Sequence, residues 1–176
     1  WKNGGGQTRE LLAWPNPSDW IVRLSVADIE RDGPFSAFEG VDRQIMLLDG
    51  DGVTLHGEDA VLCHTLQQRW QPWGFAGEQP LDSHLIGGPS TDFNLMLRRG
   101  QWQGRMQVLH EPTTVGATGA GLCMVLQGQW AVLGGDAAAD DAAAFGVAGG
   151  IHAVHLRVIG LDAHLALQRI HGQRRR

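Results

Sequence analysis

The chain has 176 residues, a formal charge of −5, 43% apolar residues, 25 Gly, seven Trp, no Tyr and two Cys. That length holds one domain or one compact two-part barrel, with apolar residues enough for a real core. No apolar run of about 18 residues is present, which excludes an ordinary transmembrane helix, and the acidic balance excludes the basic footprint of a nucleic-acid binder.

Short apolar runs separated by Gly, Asp, Asn and Pro dominate, and long helical periodicity is missing. This predicts an all-β sandwich or barrel. In chain order the expected strands are Thr8–Trp14, Trp20–Ile29, Arg43–Leu48, Val53–Gly57, His84–Ile86, Asp92–Arg98, Arg105–His110, Leu122–Gln127, Gln129–Leu133, Ala153–Ile159 and Ala163–Ile170. Asp49-Gly50-Asp51-Gly52 predicts a hairpin, because Asp-Gly tolerates the positive φ such turns need. Gly128 predicts a second tight turn. Glu58–Trp70 fits either one helical turn or a strand. Residues 134–150, rich in Ala, Gly and Asp with Phe145 as the only large anchor, predict a surface loop. The strands fall into two groups, giving an N-terminal half over residues 1–90 and a C-terminal half over residues 91–176 of one compact unit.

Charge is uneven along the chain. Residues 1–97 carry 14 acids and 6 bases, and residues 98–176 carry 5 acids and 8 bases. Three of the latter are Arg174, Arg175 and Arg176, expected to form a solvated tail. Cys63 and Cys123 are single and far apart, without C-x-x-C spacing, so buried reduced thiols in a cytoplasmic protein are expected. The chain opens on Trp rather than Met, so residues upstream of Trp1 are expected.

Thirteen of the 14 basic residues are Arg, and the single Lys is Lys2. Codon bias explains the arginines but not the exception. Lys2 opens Lys2-Asn3-Gly4-Gly5-Gly6-Gln7-Thr8-Arg9-Glu10, where glycines can bring backbone N–H groups close to a ligand in an anion-binding nest. Lys2 offers a point charge there and Arg9 a planar fork suited to a carboxylate. The plainer alternative is a Gly-rich turn into a strand.

In Ile21-Val22-Arg23-Leu24-Ser25-Val26-Ala27, alternation puts Val22, Leu24 and Val26 on one face and Arg23 and Ser25 on the other. That polar face points either to solvent or into a ligand cavity. Phe35 and Phe38 sit in a Gly/Pro-bounded loop, where they either roof a polar pocket or plug a barrel end. Asp42 and Arg43 are adjacent, so on a strand they face opposite sides. In the strand after Thr91, Phe93, Leu95 and Leu97 form one apolar face, and Asp92, Asn94, Met96 and Arg98 the other. Such a polar face suits a wet, ligand-bearing interior.

No metal is expected. His152 and His155 are three apart and face opposite sides of a strand, and neither H-x-H nor H-E-x-x-H occurs. No G-x-S-x-G supports a serine nucleophile, and no cofactor fingerprint is present.

Trp1-Lys2-Asn3-Gly4-Gly5-Gly6-Gln7-Thr8-Arg9-Glu10, Gly33-Pro34-Phe35-Ser36, Gly40-Val41-Asp42-Arg43 and Asp92-Phe93-Asn94-Leu95-Met96 with Arg98-Arg99-Gly100 together resemble the HutD/Ves family, in that family's order. The resemblance implies a cupin-type β-barrel with two cupin halves (a bicupin) and a short segment before the Trp-Lys-Asn block. It also implies a link to bacterial histidine utilisation, with urocanate or N-formylglutamate as ligand types. Many cupins hold a metal through H-x-H. The comparable windows here read Glu39-Gly40-Val41 and Cys63-His64-Thr65, which argues for a metal-free member.

The leading expectation is therefore a bicupin that binds a small anionic carboxylate and modulates histidine catabolism. Lys2, Arg9 and Arg23 would meet the carboxylate, in competition with Arg43 and Arg98. Asn3, Thr8, Ser25 and Asn94 would add hydrogen bonds, Asp92 lines the same face, and Phe35 and Phe38 form an apolar wall. No nucleic acid or membrane partner is expected, and a homodimer is left open. One alternative is a metal-free enzyme on the same ligands, with Asp42, Asp92 or Lys2 as acid or base. Another is a protein-binding regulator whose barrel mouth is filled by its own side chains.

Overall fold

The computed structural model describes residues 6–58, 62–115, 120–134, 145–148 and 152–160. These residues are all-β. The strands are β1 (Gly6–Trp14), β2 (Val22–Ile29), β3 (Gly33–Pro34), β4 (Val41–Gly50), β5 (Val53–Gly57), β6 (Cys63–Leu66), β7 (Trp73–Ala76), β8 (Leu81–Leu85), β9 (Ser90–Arg98), β10 (Trp102–Leu109), β11 (Thr113–Val115), β12 (Ala120–Gln127), β13 (Ala131–Gly134), β14 (Phe145–Ala148) and β15 (His152–Gly160). Among the described residues no helix is long and apolar enough to cross a membrane.

The chain divides into two compact units, Trp1–Arg99 and Gly100–Arg176. The first holds a five-stranded sheet in the order β1-β2-β9-β4-β7 and a four-stranded sheet in the order β3-β8-β5-β6. The second holds two three-stranded sheets, β10-β15-β12 and β11-β14-β13. The division falls later than the expected boundary near residue 90. Ser90–Arg98 is the centre of the first unit's larger sheet, paired with β2 on one side and β4 on the other.

The period-two patterns explain how the first unit packs. Ile29 and Ile45 of the larger sheet join Val53, Leu55, Leu66 and Leu81 of the smaller one in a single buried cluster with Phe35. Burying each such side chain contributes about 1.5–3 kcal/mol. The opposite face of the larger sheet carries Val22, Leu24, Val26, Phe93, Leu95 and Leu97, which are also buried. β2 and β9 are therefore buried on both faces along most of their length.

Several local expectations need correction. Asp49–Gly52 turns the chain, with φ of 94° at Gly50 and 96° at Gly52, but it does not close a hairpin. β4 pairs with β7 and β9, whereas β5 pairs with β6 and β8, so the turn carries the chain from one sheet to the other. Side chains pin this crossing: Ser90 Oγ accepts from the Gly52 N–H at 2.8 Å, and the Asp51 carboxylate accepts from the Gly88 N–H at 2.7 Å. Glu58–Trp70 contains a strand, β6, at the sheet edge. Cys63 on it is exposed rather than buried, and Cys123 is half-buried; both are free thiols. The stretch 134–150 includes β14, paired with β11 and β13. The strand expected over Ala163–Ile170 lies outside the described residues.

Candidate functional site

Antiparallel pairing stacks the inward residues of β2, β9 and β4 into rows. Arg23, Met96 and Arg43 stand abreast, then Ser25, Asn94 and Ile45, then Ala27, Asp92 and Leu47. Ile45 places this face toward the smaller sheet, so a polar strip runs through an otherwise apolar interior. The alternation that buries Phe93, Leu95 and Leu97 on one side of β9 forces Asp92 and Asn94 to the other.

Arg43 is the centre of the strip and only 5% exposed. Its Nη2 donates to Asn94 Oδ1 at 2.8 Å, and its Nη1 donates to the Ser36 carbonyl at 2.9 Å. Its guanidinium carbon lies 4.9 Å from the Phe75 ring centroid and 5.4 Å from those of Phe35 and Phe38. Three ring faces partly replace the water a buried cation has lost. Burial, and then the nearby Arg23 charge, push the Arg43 pKa down to about 10, so it remains a cation at neutral pH. Its Nε is buried without a hydrogen-bond partner.

Asp92 is fully buried, and neither carboxylate oxygen has a hydrogen-bond partner. Burial raises its pKa to about 7, opposed by the attraction of Arg43. An unpartnered buried carboxylate is costly. A donor at Arg43 Nε and two acceptors at Asp92 therefore stand idle on one interior face.

The remaining sequence candidates divide around this centre. Arg23, Ser25, Arg43, Asp92, Asn94, Phe35 and Phe38 are brought together. Arg23 stands beside Arg43, pairs with Glu10 at 2.8 Å and lies 6.0 Å from the Phe38 ring. Arg98 sits further along the same face, held against the Trp20 ring at 5.5 Å. Trp20 in turn meets Phe38 edge-on at 6.2 Å. Thr8 continues the Ala27–Asp92 row on β1 but is exposed. Arg9 pairs with Val26 and so belongs to the opposite face. Lys2 and Asn3 lie outside the described residues. Asp42 faces away from Arg43 and pairs with Arg99 at 2.7 Å, apart from the interior strip.

Sequence reasoning missed Glu10, Trp20, Phe75 and the Ser36 carbonyl. The Trp73/Phe75 alternation was the available signal for Phe75. Trp73 stacks on Phe75 at 4.8 Å and on His64 at 4.1 Å, extending the aromatic wall. Among the described residues no three His, Cys, Asp or Glu side chains group to hold a metal ion.

Gly77 holds the roof in place. Its carbonyl accepts from the Phe38 N–H at 2.7 Å, and its own N–H donates to the Val41 carbonyl at 2.6 Å. A Cβ at this position would sit 2.7 Å from both the Phe38 and Val41 carbonyl oxygens. Gly77→Ala is therefore expected to displace Phe38 from Arg43 and to destabilise the fold by about 1–3 kcal/mol. Urea denaturation checks the stability, and an unchanged midpoint would show that the loop yields freely.

A protein-family model described as HutD matches residues 1–155. Protein Ves of Cronobacter sakazakii is 42% identical over 131 residues, covering 74% of this chain and 71% of that protein. Protein Ves of Citrobacter koseri is 39% identical over 132 residues, covering 74% and 68%. Among solved structures, HutD from Pseudomonas fluorescens SBW25 in a formate condition matches with a TM-score of 0.78 and 27% identity over 91% of each chain. A conserved protein of Pseudomonas aeruginosa PAO1 matches with a TM-score of 0.72 and 26% identity over 92% of each chain. With the family model spanning most of its length and relatives near this level of identity, the chain belongs to the HutD family.

Proposed function

We propose that this HutD-family protein is a cytoplasmic, cupin-type small-molecule binder that takes an anionic carboxylate at Arg43 and through it modulates histidine utilisation. The observation that carries the reading is Arg43 itself: a buried cation, ringed by Phe35, Phe38 and Phe75, with an Nε that no group satisfies. A guanidinium presents paired N–H donors in the geometry a carboxylate accepts. Arg23 adds a second positive charge on the same row, and Asn94 orients the fork.

The family name carries the pathway. Its chemistry makes urocanate and N-formylglutamate the ligand types to examine first. Isothermal titration calorimetry with urocanate, N-formylglutamate, glutamate and formate tests the reading. Saturable heat is expected with at least one of the first two, and a folded sample giving no heat with any of the four would end it.

A further inference from the structure

The interior strip leaves two kinds of need unmet. Arg43 Nε lacks an acceptor, and both Asp92 oxygens lack donors. A plain carboxylate would satisfy only the first, and would bring a second negative group onto a face that already buries one. A ligand that also carries an N–H donor answers both. Both needs lie on one inward face. Arg43 reaches along the face to Asn94, and Asp92 is the next inward residue of β9.

We propose that the site is built for a small amphoteric ligand that presents a carboxylate to Arg43 and an N–H donor to Asp92. This rests on the carboxylate reading of Arg43 and narrows its ligand class. An imidazole, amide or ammonium N–H meets the requirement, whereas formate has no N–H donor and a simple dicarboxylate has the wrong sign at one end.

The charged and titratable neighbours allow the assignment. Arg43 on β4, Arg23 on β2 and, further along against Trp20, Arg98 on β9 are the cations of the face, and Glu10 on β1 is already occupied by Arg23. On β6, His64 is stacked against Trp73, and burial keeps its pKa below the ordinary histidine value. The described inward residues of β5 and β8 (Val53, Leu55, Leu81, Ser83 and Leu85) bring no charge. Asp92, poised near neutrality, gives up its proton when a non-titrating N–H donor such as an amide bonds its carboxylate, so binding of such a ligand near pH 7 releases a proton. A ligand bearing only a carboxylate would instead favour the protonated acid and take one up.

The test uses urocanate against 3-(2-furyl)acrylate, which keeps the ring and the carboxylate but has no N–H. At pH 8 the wild-type protein is expected to bind urocanate at least about tenfold tighter, the worth of one charge-assisted hydrogen bond. Asp92→Asn should bring the ratio below about threefold. Equal wild-type affinities would overturn the Asp92 assignment and leave the carboxylate reading standing; no binding of either compound would overturn the Asp92 assignment, and the carboxylate reading falls with it only if N-formylglutamate, glutamate and formate also give no heat. A second measurement needs no variant. Calorimetry of N-formylglutamate, whose amide N–H does not titrate, at pH 7 in phosphate and in Tris should show release of about half a proton, and proton uptake or none would overturn the proposal.

Discussion

Replacing Arg43 by Met is expected to weaken carboxylate binding at least about 100-fold, because two charge-assisted hydrogen bonds at about 1.5–3 kcal/mol each are lost together. Stability should move far less. Methionine can lie against Phe35, Phe38 and Phe75 much as the guanidinium does, and removing a buried cation also removes its desolvation cost. The losses are the hydrogen bonds to Asn94 Oδ1 and the Ser36 carbonyl. At pH 6, where Asp92 is mostly neutral, the net change should stay within about 2 kcal/mol. Arg43→Lys separates charge from geometry. It keeps the cation but cannot span Asn94 and Ser36 with a planar fork, so it should recover only part of the affinity. Calorimetry and a thermal melt on the same samples check both halves, and a threefold or smaller loss of affinity in the Met variant would remove Arg43 from the site.

Much of this site can be read from alternation alone. Val22, Leu24 and Val26 against Arg23 and Ser25, and Phe93, Leu95 and Leu97 against Asp92 and Asn94, already assign the polar residues to one face. The sequence does not say which arginine is central. Arg9 looks as good a fork as Arg43, but its pairing with Val26 puts it on the wrong face, since a one-residue change of register exchanges the two sides of a strand. Phe75 escapes notice because β7 is four residues long and gains its meaning only by lying opposite Arg43. The Asp49–Gly52 turn shows the same limit. Asp-Gly reports local positive φ faithfully, yet whether the next strand stays in the sheet depends on partners far along the chain. Glu10 and Arg23 meet because β1 folds back on β2, a pairing no short window contains.

Asp92 should govern how stability depends on pH, with a sign opposite to that of an ordinary paired carboxylate. Burial lifts its folded pKa from 3.8 to about 7, so the native state holds a proton that the unfolded chain releases between those values. The stabilisation is fully present below about pH 4 and is lost as pH rises through about 7. Asparagine at this position does not titrate. Asp92→Asn is therefore expected to gain on the wild type by about 2–3 kcal/mol between pH 5 and pH 8, or several degrees of melting temperature. Comparing the difference between the two proteins at each pH cancels groups common to both, including His64. It also cancels any fixed cost of placing an amide where the carboxylate stood. A difference that stays constant from pH 5 to pH 8 would mean that Asp92 is ionised throughout, its charge held by Arg43 despite the missing hydrogen bonds. A widening difference means that the empty protein bears a desolvation cost at neutral pH that a donor-bearing ligand can relieve, and the same ligand should then stabilise the wild type more strongly at pH 8 than at pH 5.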